Sequence, residues 1–165
     1  MEVLVSTPVT RMELMTGKIL PYFFIGLLDA ALSLVIAVFW FETPFRGAVT
    51  MLFLTTCLFL VVVLGLGYFI SASVKSQVGA SQIALVVTLL PTTLLSGFAF
   101  PIEQMPTPIQ ALTYLVPARY YFAILKSVFL KGSALGDLVT PIALLAIYAT
   151  IVGLLAARAF RKTLG

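Results

Sequence analysis

The chain has 165 residues, of which 61% are hydrophobic and 10% are charged, and its mean hydropathy is +1.15. These values lie outside the range of soluble globular proteins, and the apolar residues fall in runs of about 20, long enough to cross a bilayer. The sequence therefore predicts an all-α membrane protein in a lipid bilayer. Its net charge of +4 does not indicate a nucleic-acid partner, because the basic residues are scattered and flank the apolar runs.

The chain contains no histidine and a single cysteine, Cys57. The first fact excludes His-based catalytic triads, histidine metal sites and imidazole proton relays, and the second excludes an intrachain disulfide. Thr16-Gly17-Lys18 lacks the upstream glycine and the following hydroxyl residue of a phosphate-binding loop. No catalytic residue and no metal site is predicted, so the chain is not expected to be an enzyme.

Four apolar runs are predicted to be transmembrane helices, at residues 19–41, 47–72, 78–99 and 138–157. The first would be about 34 Å long at about 1.5 Å per residue, which exceeds a hydrocarbon core of about 30 Å. The connections at 42–46 and 73–77 are short. We therefore expect the first three spans to pack as antiparallel neighbours.

The distribution of lysine and arginine predicts the orientation. Six basic residues fall on one side of the membrane and four on the other. The six are Arg11, Lys18, Lys75, Arg158, Arg161 and Lys162, and the four are Arg46, Arg119, Lys126 and Lys131. The side with more positive charge is the cytoplasm, so the segment 1–18 and the tail 158–165 are both expected there.

The long connection at 100–137 is predicted to hold two short helices. Thr107-Pro108-Ile109-Gln110 matches a capping box, so a helix is expected from Pro108 to near Val116. Pro117 excludes the α conformation for the residue before it, and a second helix then runs to about Lys131-Gly132. Residues 118–130 would span only about 20 Å as a helix, which is too short to cross.

This hairpin either enters the membrane without crossing it, to cap a pathway between helices, or lies at the outer surface as an interfacial hairpin. Arg119 stands in the first turn of its second helix, where a cation opposes the helix dipole and needs a partner. Glu103 or a lipid phosphate could supply one. The hairpin residues singled out are Phe100, Pro101, Glu103, Pro106, Pro117, Arg119 and Tyr120.

Two polar residues within spans are candidates for the pathway, Asp29 in the first span and Gln82 in the third. An ionisable residue at the middle of a span costs about 2.5 kcal/mol or more and usually faces the bundle interior. Asp29 is therefore either a substrate- or proton-handling residue or the partner of a Ser or Thr on a neighbouring helix.

The N-terminus contains a second capping box, Thr10-Arg11-Met12-Glu13, which predicts a helix that continues through Lys18 into the first span. Pro8 in Ser6-Thr7-Pro8-Val9 interrupts any helix or strand formed by the short apolar stretch before it. A rigid break beside the start of a cytoplasmic helix would form a contact surface for another protein. The alternative is a disordered start of the chain.

Several segments together resemble the ABC-2 family of transporter permeases, the membrane subunits of bacterial ABC exporters, and are closest to the multidrug or antibiotic type. They are VSTPVTRMELMTGKILPYF at 5–23, FETPFRG at 41–47, LLSGFAFPIEQMPTPIQALTYLVPARYYFAILKSVFLKG at 94–132, and the terminal RAFRK. Since that family has six spans, the resemblance implies that the chain is the C-terminal four-span portion of such a permease.

The resemblance also implies a function and partners. The chain would be the permease subunit of an ATP-driven exporter in the bacterial inner membrane. It would pair with a second permease copy and with a separate ABC ATPase subunit, which would bind ATP and magnesium. The pair of short helices would be re-entrant. The residues expected to couple to the ATPase are Ser6, Thr7, Pro8, Thr10, Arg11, Glu13 and Lys75.

Two alternatives remain open from the residues alone. One is a small four-span ion-coupled multidrug transporter, in which Asp29 would bind a proton or a cationic drug. The other is a non-transporting membrane scaffold.

Overall fold

The computed structural model of the protein describes residues 11–74, 76–131 and 135–163. Over these ranges the regular structure is helical, without strands, so the all-α prediction is confirmed. The helices are α1 (Arg11–Val35), α2 (Val49–Ser73), α3 (Gln77–Ala84), α4 (Leu90–Leu95), α5 (Thr107–Thr113), α6 (Pro117–Lys126) and α7 (Leu135–Thr163). Wider π-helical turns follow α1, α3 and α6 at Ile36–Trp40, Leu85–Leu89 and Ser127–Lys131, and a 3-10 turn covers Ile102–Gln104.

Four stretches within the described ranges are long and apolar enough to cross a bilayer, as predicted. They are Ile19–Trp40, Val49–Ser73, Gln77–Leu95 and Leu138–Ala156. The third ends at Leu95, before the predicted end at Ala99, because Gly97 adopts a left-handed backbone with φ of 83°. The Ser96 hydroxyl accepts a hydrogen bond from the Phe98 amide at 3.3 Å and closes this turn. Glycine just after a helix is a common terminator for this reason.

The third span stays helical through Pro91 by widening the turn before it. Proline has no amide hydrogen and its ring clashes with the carbonyl four residues earlier. The π-helical turn Leu85–Leu89 lies directly before it, where the hydrogen-bond ladder must change. At the other end, the Ser76 hydroxyl accepts from the Gly79 amide at 3.0 Å and caps α3.

The buried core lies among α2, α6 and α7. Helices α2 and α7 form the central pair, α6 packs on both, and α1 packs on α2. The core cluster consists of Leu52 and Val62 of α2, Tyr120, Ile124 and Val128 on the α6 side, and Leu138, Leu145 and Val152 of α7. Helix α6, which belongs to the long connection before the last span, is therefore part of the core.

The first and third spans surround this core and remain open. The apolar windows that define them contain no buried residue, whereas 28% of the second window and 22% of the fourth are buried. Leu28 on α1 and Leu85 beside α3 are 63% and 58% exposed. Lipid chains are as apolar as such side chains, so this surface costs little in a bilayer.

The predicted capping box at Thr107 is wrong. Helix α5 begins one residue earlier than expected, with Pro106 as its N-cap, and the Pro106 carbonyl accepts from the Gln110 amide at 3.0 Å. The Gln110 side chain donates to the Met105 carbonyl at 2.9 Å instead of reaching back to Thr107. Two prolines set this outcome, since Pro106 and Pro108 both fix backbone angles that suit a helix start.

The central pair approaches most closely at Gly65 of α2. A Cβ atom added there would lie 2.7 Å from a Val152 methyl group of α7, and Val152 is itself buried. At Gly67, two residues further along α2, no atom lies within 4 Å of an added Cβ. The small residues of this segment therefore serve close helix packing at one position and not at the other.

Gly65→Ala is expected to lower the free energy of unfolding by up to about 2 kcal/mol. Overpacking a buried contact costs about 1–3 kcal/mol, and the better helix propensity of alanine returns at most about 1 kcal/mol. Thermal unfolding of the detergent-solubilised protein measures the change. Gly67→Ala is the matched control and should be neutral or stabilising. Equal stability of the two variants would contradict a close α2–α7 approach at Gly65.

Candidate functional site

The break between α5 and α6 lies against the middle of α7. The backbone carbonyl of Tyr114 accepts hydrogen bonds from the hydroxyls of Tyr120, at 2.8 Å, and of Tyr148, at 3.3 Å. Tyr148 belongs to the central part of the span Leu138–Ala156. Val116 is buried and extended, with φ of −98° and ψ of 111°, as the proline after it requires. Two short helices broken before Pro117 were predicted, and the structure shows them.

Arg119 is satisfied within the hairpin. Its guanidinium donates to the Thr113 hydroxyl, lies within 3.5 Å of the Gln110 carbonyl, and stacks 3.8 Å from the centre of the Tyr114 ring. Glu103, one of the two partners that the sequence left open, is exposed, and the Arg119 contacts found among the described residues do not include it. Of the two partners considered for Arg119, Glu103 is therefore not the one found, because the Arg119 side chain points back to the carbonyl end of α5, where a cation is favoured.

Helix α6 runs along α2 from its middle towards the connection at 41–48. The hydroxyls of Tyr121 and Thr56 are 2.9 Å apart, and the Tyr121 ring stacks on Phe59 with centroids 4.3 Å apart and planes 2° from parallel. Beyond the end of α6, a Cβ on Gly47 would lie 2.8 Å from the Val128 carbonyl oxygen, so only glycine fits there. The first turns of α6 therefore lie beside Thr56 and Phe59, which belong to the span Val49–Ser73.

The adjoining connection, FETPFRG at 41–47, packs on the end of this hairpin. Phe45 meets Phe129 edge to face, with ring centroids 5.3 Å apart. Glu42 adopts a positive φ of 50° at the start of the connection. Together with the close approach of Gly47 to Val128, these contacts close one end of the α2–α6 interface. The connection between the first two spans is therefore packed against the end of the hairpin.

A cavity of about 510 Å³ lies between α1, α2 and α6. Asp29 lines it together with small residues of α1 such as Gly26 and Ala30. On the opposite side it is lined by Phe59 and Tyr121. Asp29 is exposed, and it makes no hydrogen bond or ion pair within the part of the chain that the structure describes. The predicted alternative, a bond from Asp29 to a neighbouring Ser or Thr, is absent among those residues.

Thr56, the hydroxyl residue of α2 that also lines this cavity, is engaged elsewhere. It donates to the Leu52 carbonyl at 2.7 Å and pairs with Tyr121. Threonine in a helix commonly bonds to the carbonyl four residues earlier. Its hydroxyl is therefore not a free partner for a carboxylate, and Asp29 is the single charged side chain on the described cavity wall.

The structure does not bring the other candidates to this cavity. Gln82 is exposed on α3 and is not among the cavity residues. Phe100, Pro101 and Pro106 are exposed around the 3-10 turn, whereas Pro117 is half-buried and Tyr120 is buried. The residues Ser6, Thr7, Pro8, Thr10 and Lys75 lie outside the described residues. Arg11 and Glu13 belong to α1, and their side chains are also outside what is described.

A second cavity, of about 540 Å³, lies between the end of α2 and the start of α3. Its lining includes Ser71, Ser76, Gln77 and Ser81, so it is more polar than the first. It adjoins the connection that contains Lys75, on the side that the positive-inside rule assigns to the cytoplasm.

Sequence analysis missed the tyrosine contacts that hold the hairpin. Tyr120, Ile124 and Val128 follow at intervals of four residues and are all buried. Tyr121, Leu125 and Phe129 have the same spacing and line the first cavity. Such spacing places residues on one helix face, so two adjacent faces with different roles could have been read from the sequence. Their partners Thr56, Phe59 and Tyr148 could not.

Four apolar helices of membrane-crossing length, with a broken hairpin packed against two of them, define a multi-pass α-helical membrane protein. The chain belongs to the ABC-2 transporter family, since the sequence profile described as "ABC-2 family transporter protein" matches residues 1–158. The resemblance noted in the sequence is thereby confirmed. No solved structure matches the chain.

Three curated relatives are similar to much of the chain. Two proteins of Escherichia coli (strain K12), the "Probable multidrug ABC transporter permease" YbhS and YbhR, are 44% and 30% identical to it over 133 and 132 residues. These alignments cover 81% and 80% of this chain but 35% and 36% of the relatives. The "Inner membrane transport permease YhhJ" of the same organism is 28% identical, over 99% of this chain and 44% of its own length. The chain thus spans less than half the length of these relatives.

Arg119→Gln is expected to lower the free energy of unfolding by about 1–2 kcal/mol, because it removes a cation–π contact and a charge-assisted hydrogen bond at the break. Thermal unfolding and limited proteolysis within the hairpin would both report the loss. Lys126→Gln is the matched control on the same helix, since Lys126 is exposed and its amine is 5.0 Å from the Phe122 ring. Equal effects of the two substitutions would refute a special role for Arg119.

Proposed function

We propose that this chain is part of the permease subunit of an ATP-driven ABC exporter and contributes to its translocation pathway. The observation that carries the proposal is the broken hairpin, which packs on the two central helices and has a cavity with one unpartnered acid beside it. Membership of the ABC-2 family supports it, as do the relatives whose printed names call them permeases. ATP and magnesium are then bound, and ATP hydrolysed, on a separate ABC ATPase subunit.

We also propose that the α5–α6 hairpin is re-entrant. The Tyr114 carbonyl at the break is bonded to Tyr148, near the middle of one span, and Tyr121 stacks on Phe59, near the middle of another. The far end of the hairpin packs on the connection at 41–48. This placement supports entry to about half the depth of the bilayer. Broken backbone is tolerated there only where protein shields it, and the two tyrosine hydroxyls supply that shielding.

The remaining parts of the proposal concern orientation and partners. The positive-inside bias supports cytoplasmic termini in a bacterial inner membrane. Residues 1–18 and the connection with Lys75 would then face the ATPase, beside the polar cavity between α2 and α3. The exposed apolar surface of the first and third spans leaves room for a second permease copy. Family membership does not favour the two alternatives, an ion-coupled four-span transporter or a scaffold.

Cysteine labelling in intact cells tests the depth of the hairpin. In a background without Cys57, a cysteine at Leu130 is expected to react quickly with a membrane-impermeant maleimide, whereas a cysteine at Leu115 reacts slowly. Both wild-type side chains are exposed in the structure, at 56% and 69%, so protein burial alone would not separate them. Equally fast labelling at both positions would mean that the hairpin lies on the membrane surface.

Substitutions in the predicted coupling region test the ATP-driven mechanism. The double change Thr7→Ala and Pro8→Ala, and separately Glu13→Gln, are expected to abolish ATP-driven transport in vesicles while ATP hydrolysis by the co-purified subunit continues. The reason is that rigid contacts, rather than chemistry, would transmit the motion of the ATPase. Glu42→Gln, an acid at the other end of the first span, is the control. Transport driven by a proton gradient without ATP would contradict the proposal.

A further inference from the structure

The cavity between α1, α2 and α6 combines one carboxylate with apolar and aromatic walls. We infer that it binds an amphipathic organic cation, whose charge is met by Asp29 and whose apolar body packs on Phe53, Phe59 and Tyr121. The inference rests on the proposed export function, in which this cation is the cargo. It adds the chemical class of that cargo and the place within a single permease chain where it is held.

Asp29 places a carboxylate on the wall of the cavity. Asp29 stands near the middle of the span Ile19–Trp40, where an ionised group without a partner is costly. Among the described residues it has neither a hydrogen-bond partner nor an ion-pair partner, although Thr56 lies on the same cavity wall. An acid in such a place is stabilised by a cation that comes from outside the described residues.

The walls of the cavity are largely aromatic and apolar. The stacked rings of Phe59 and Tyr121 are held parallel, and the Tyr121 hydroxyl is already bonded to Thr56. These rings therefore offer a fixed aromatic surface without a free polar group that would need its own ligand partner. A cation beside aromatic rings gains further attraction from their electron-rich faces. The volume of about 510 Å³ falls within the usual range of about 300–1,000 Å³ for small-molecule sites.

The sign of the ligand charge follows from the lining. No lysine or arginine lines the described wall of the cavity, and Asp29 is its one charged side chain. An anion would be repelled, and a lipid chain or a neutral drug would leave the carboxylate unpaired. The α6 residues Tyr121, Leu125 and Phe129 form one wall, so the re-entrant helix is itself a part of the binding site.

Equilibrium binding of radiolabelled tetraphenylphosphonium to the full permease complex in phosphatidylcholine nanodiscs tests the inference. Saturable binding is expected, with at most weak competition by tetraphenylborate, an anion of the same shape. Asp29→Asn should weaken binding about tenfold or more, since a desolvated charge pair is lost, whereas Asp29→Glu should largely preserve it. Glu42→Gln is the matched control. Unchanged binding in Asp29→Asn, or equally tight tetraphenylborate binding, would overturn the inference.

A second measurement needs no variant. Dicyclohexylcarbodiimide modifies carboxyl groups in apolar surroundings, and mass spectrometry of the wild-type complex locates the adduct. Tetraphenylphosphonium is expected to protect Asp29, and absence of protection at saturating ligand would count against the site. Binding through Asp29 without ATP-dependent transport would refute the export function and leave the cation site standing. ATP-dependent transport without such binding would refute the cation site alone.

Discussion

The break between α5 and α6 leaves backbone groups that the helical ladder no longer pairs, and much of the structure follows from how these groups are bonded. Between α5 and α6 the regular ladder stops, and short-range bonds to the carbonyls of Leu112 and Thr113 replace part of it. The Tyr114 carbonyl is met by two tyrosine hydroxyls, one of them from α7. The bond from the Tyr148 hydroxyl joins the hairpin to α7, and the bond between Tyr121 and Thr56 joins it to α2, so the hairpin is held on both helices of the central pair.

That tie explains why α6 is a core helix although it is too short to span. One of its faces, with Tyr120 and Ile124, packs between α2 and α7, and the adjacent face, with Tyr121, lies on Thr56 and Phe59. A helix in contact with both members of the central pair senses any change in their separation. Packed helices switch between discrete arrangements more readily than they deform, so this position is compatible with the proposed contribution of the hairpin to a translocation pathway.

The charged side chains of Arg119 and Asp29 have opposite surroundings. Arg119 has neutral partners from its own hairpin, namely the Thr113 hydroxyl, the Gln110 carbonyl and the Tyr114 ring. Asp29 lines a cavity and has no partner among the described residues. The first arrangement stabilises a break in the chain, and the second leaves binding energy available to a ligand. This difference is why the proposed cargo site lies at Asp29 and not at Arg119.

The sequence by itself determined the membrane class, the four spans and the break before Pro117. Each depends on local physics. Backbone polar groups in hydrocarbon must be hydrogen-bonded within the protein, which favours helices, and proline restricts the backbone angles of the residue before it. The exact start of α5 was missed, since two prolines outweighed the capping pattern at Thr107. The pairing of Tyr121 with Thr56 and the isolation of Asp29 follow only from the tertiary structure. Thr56 and Tyr121 are 65 residues apart in the chain, and such a contact depends on how the two helices pack against each other.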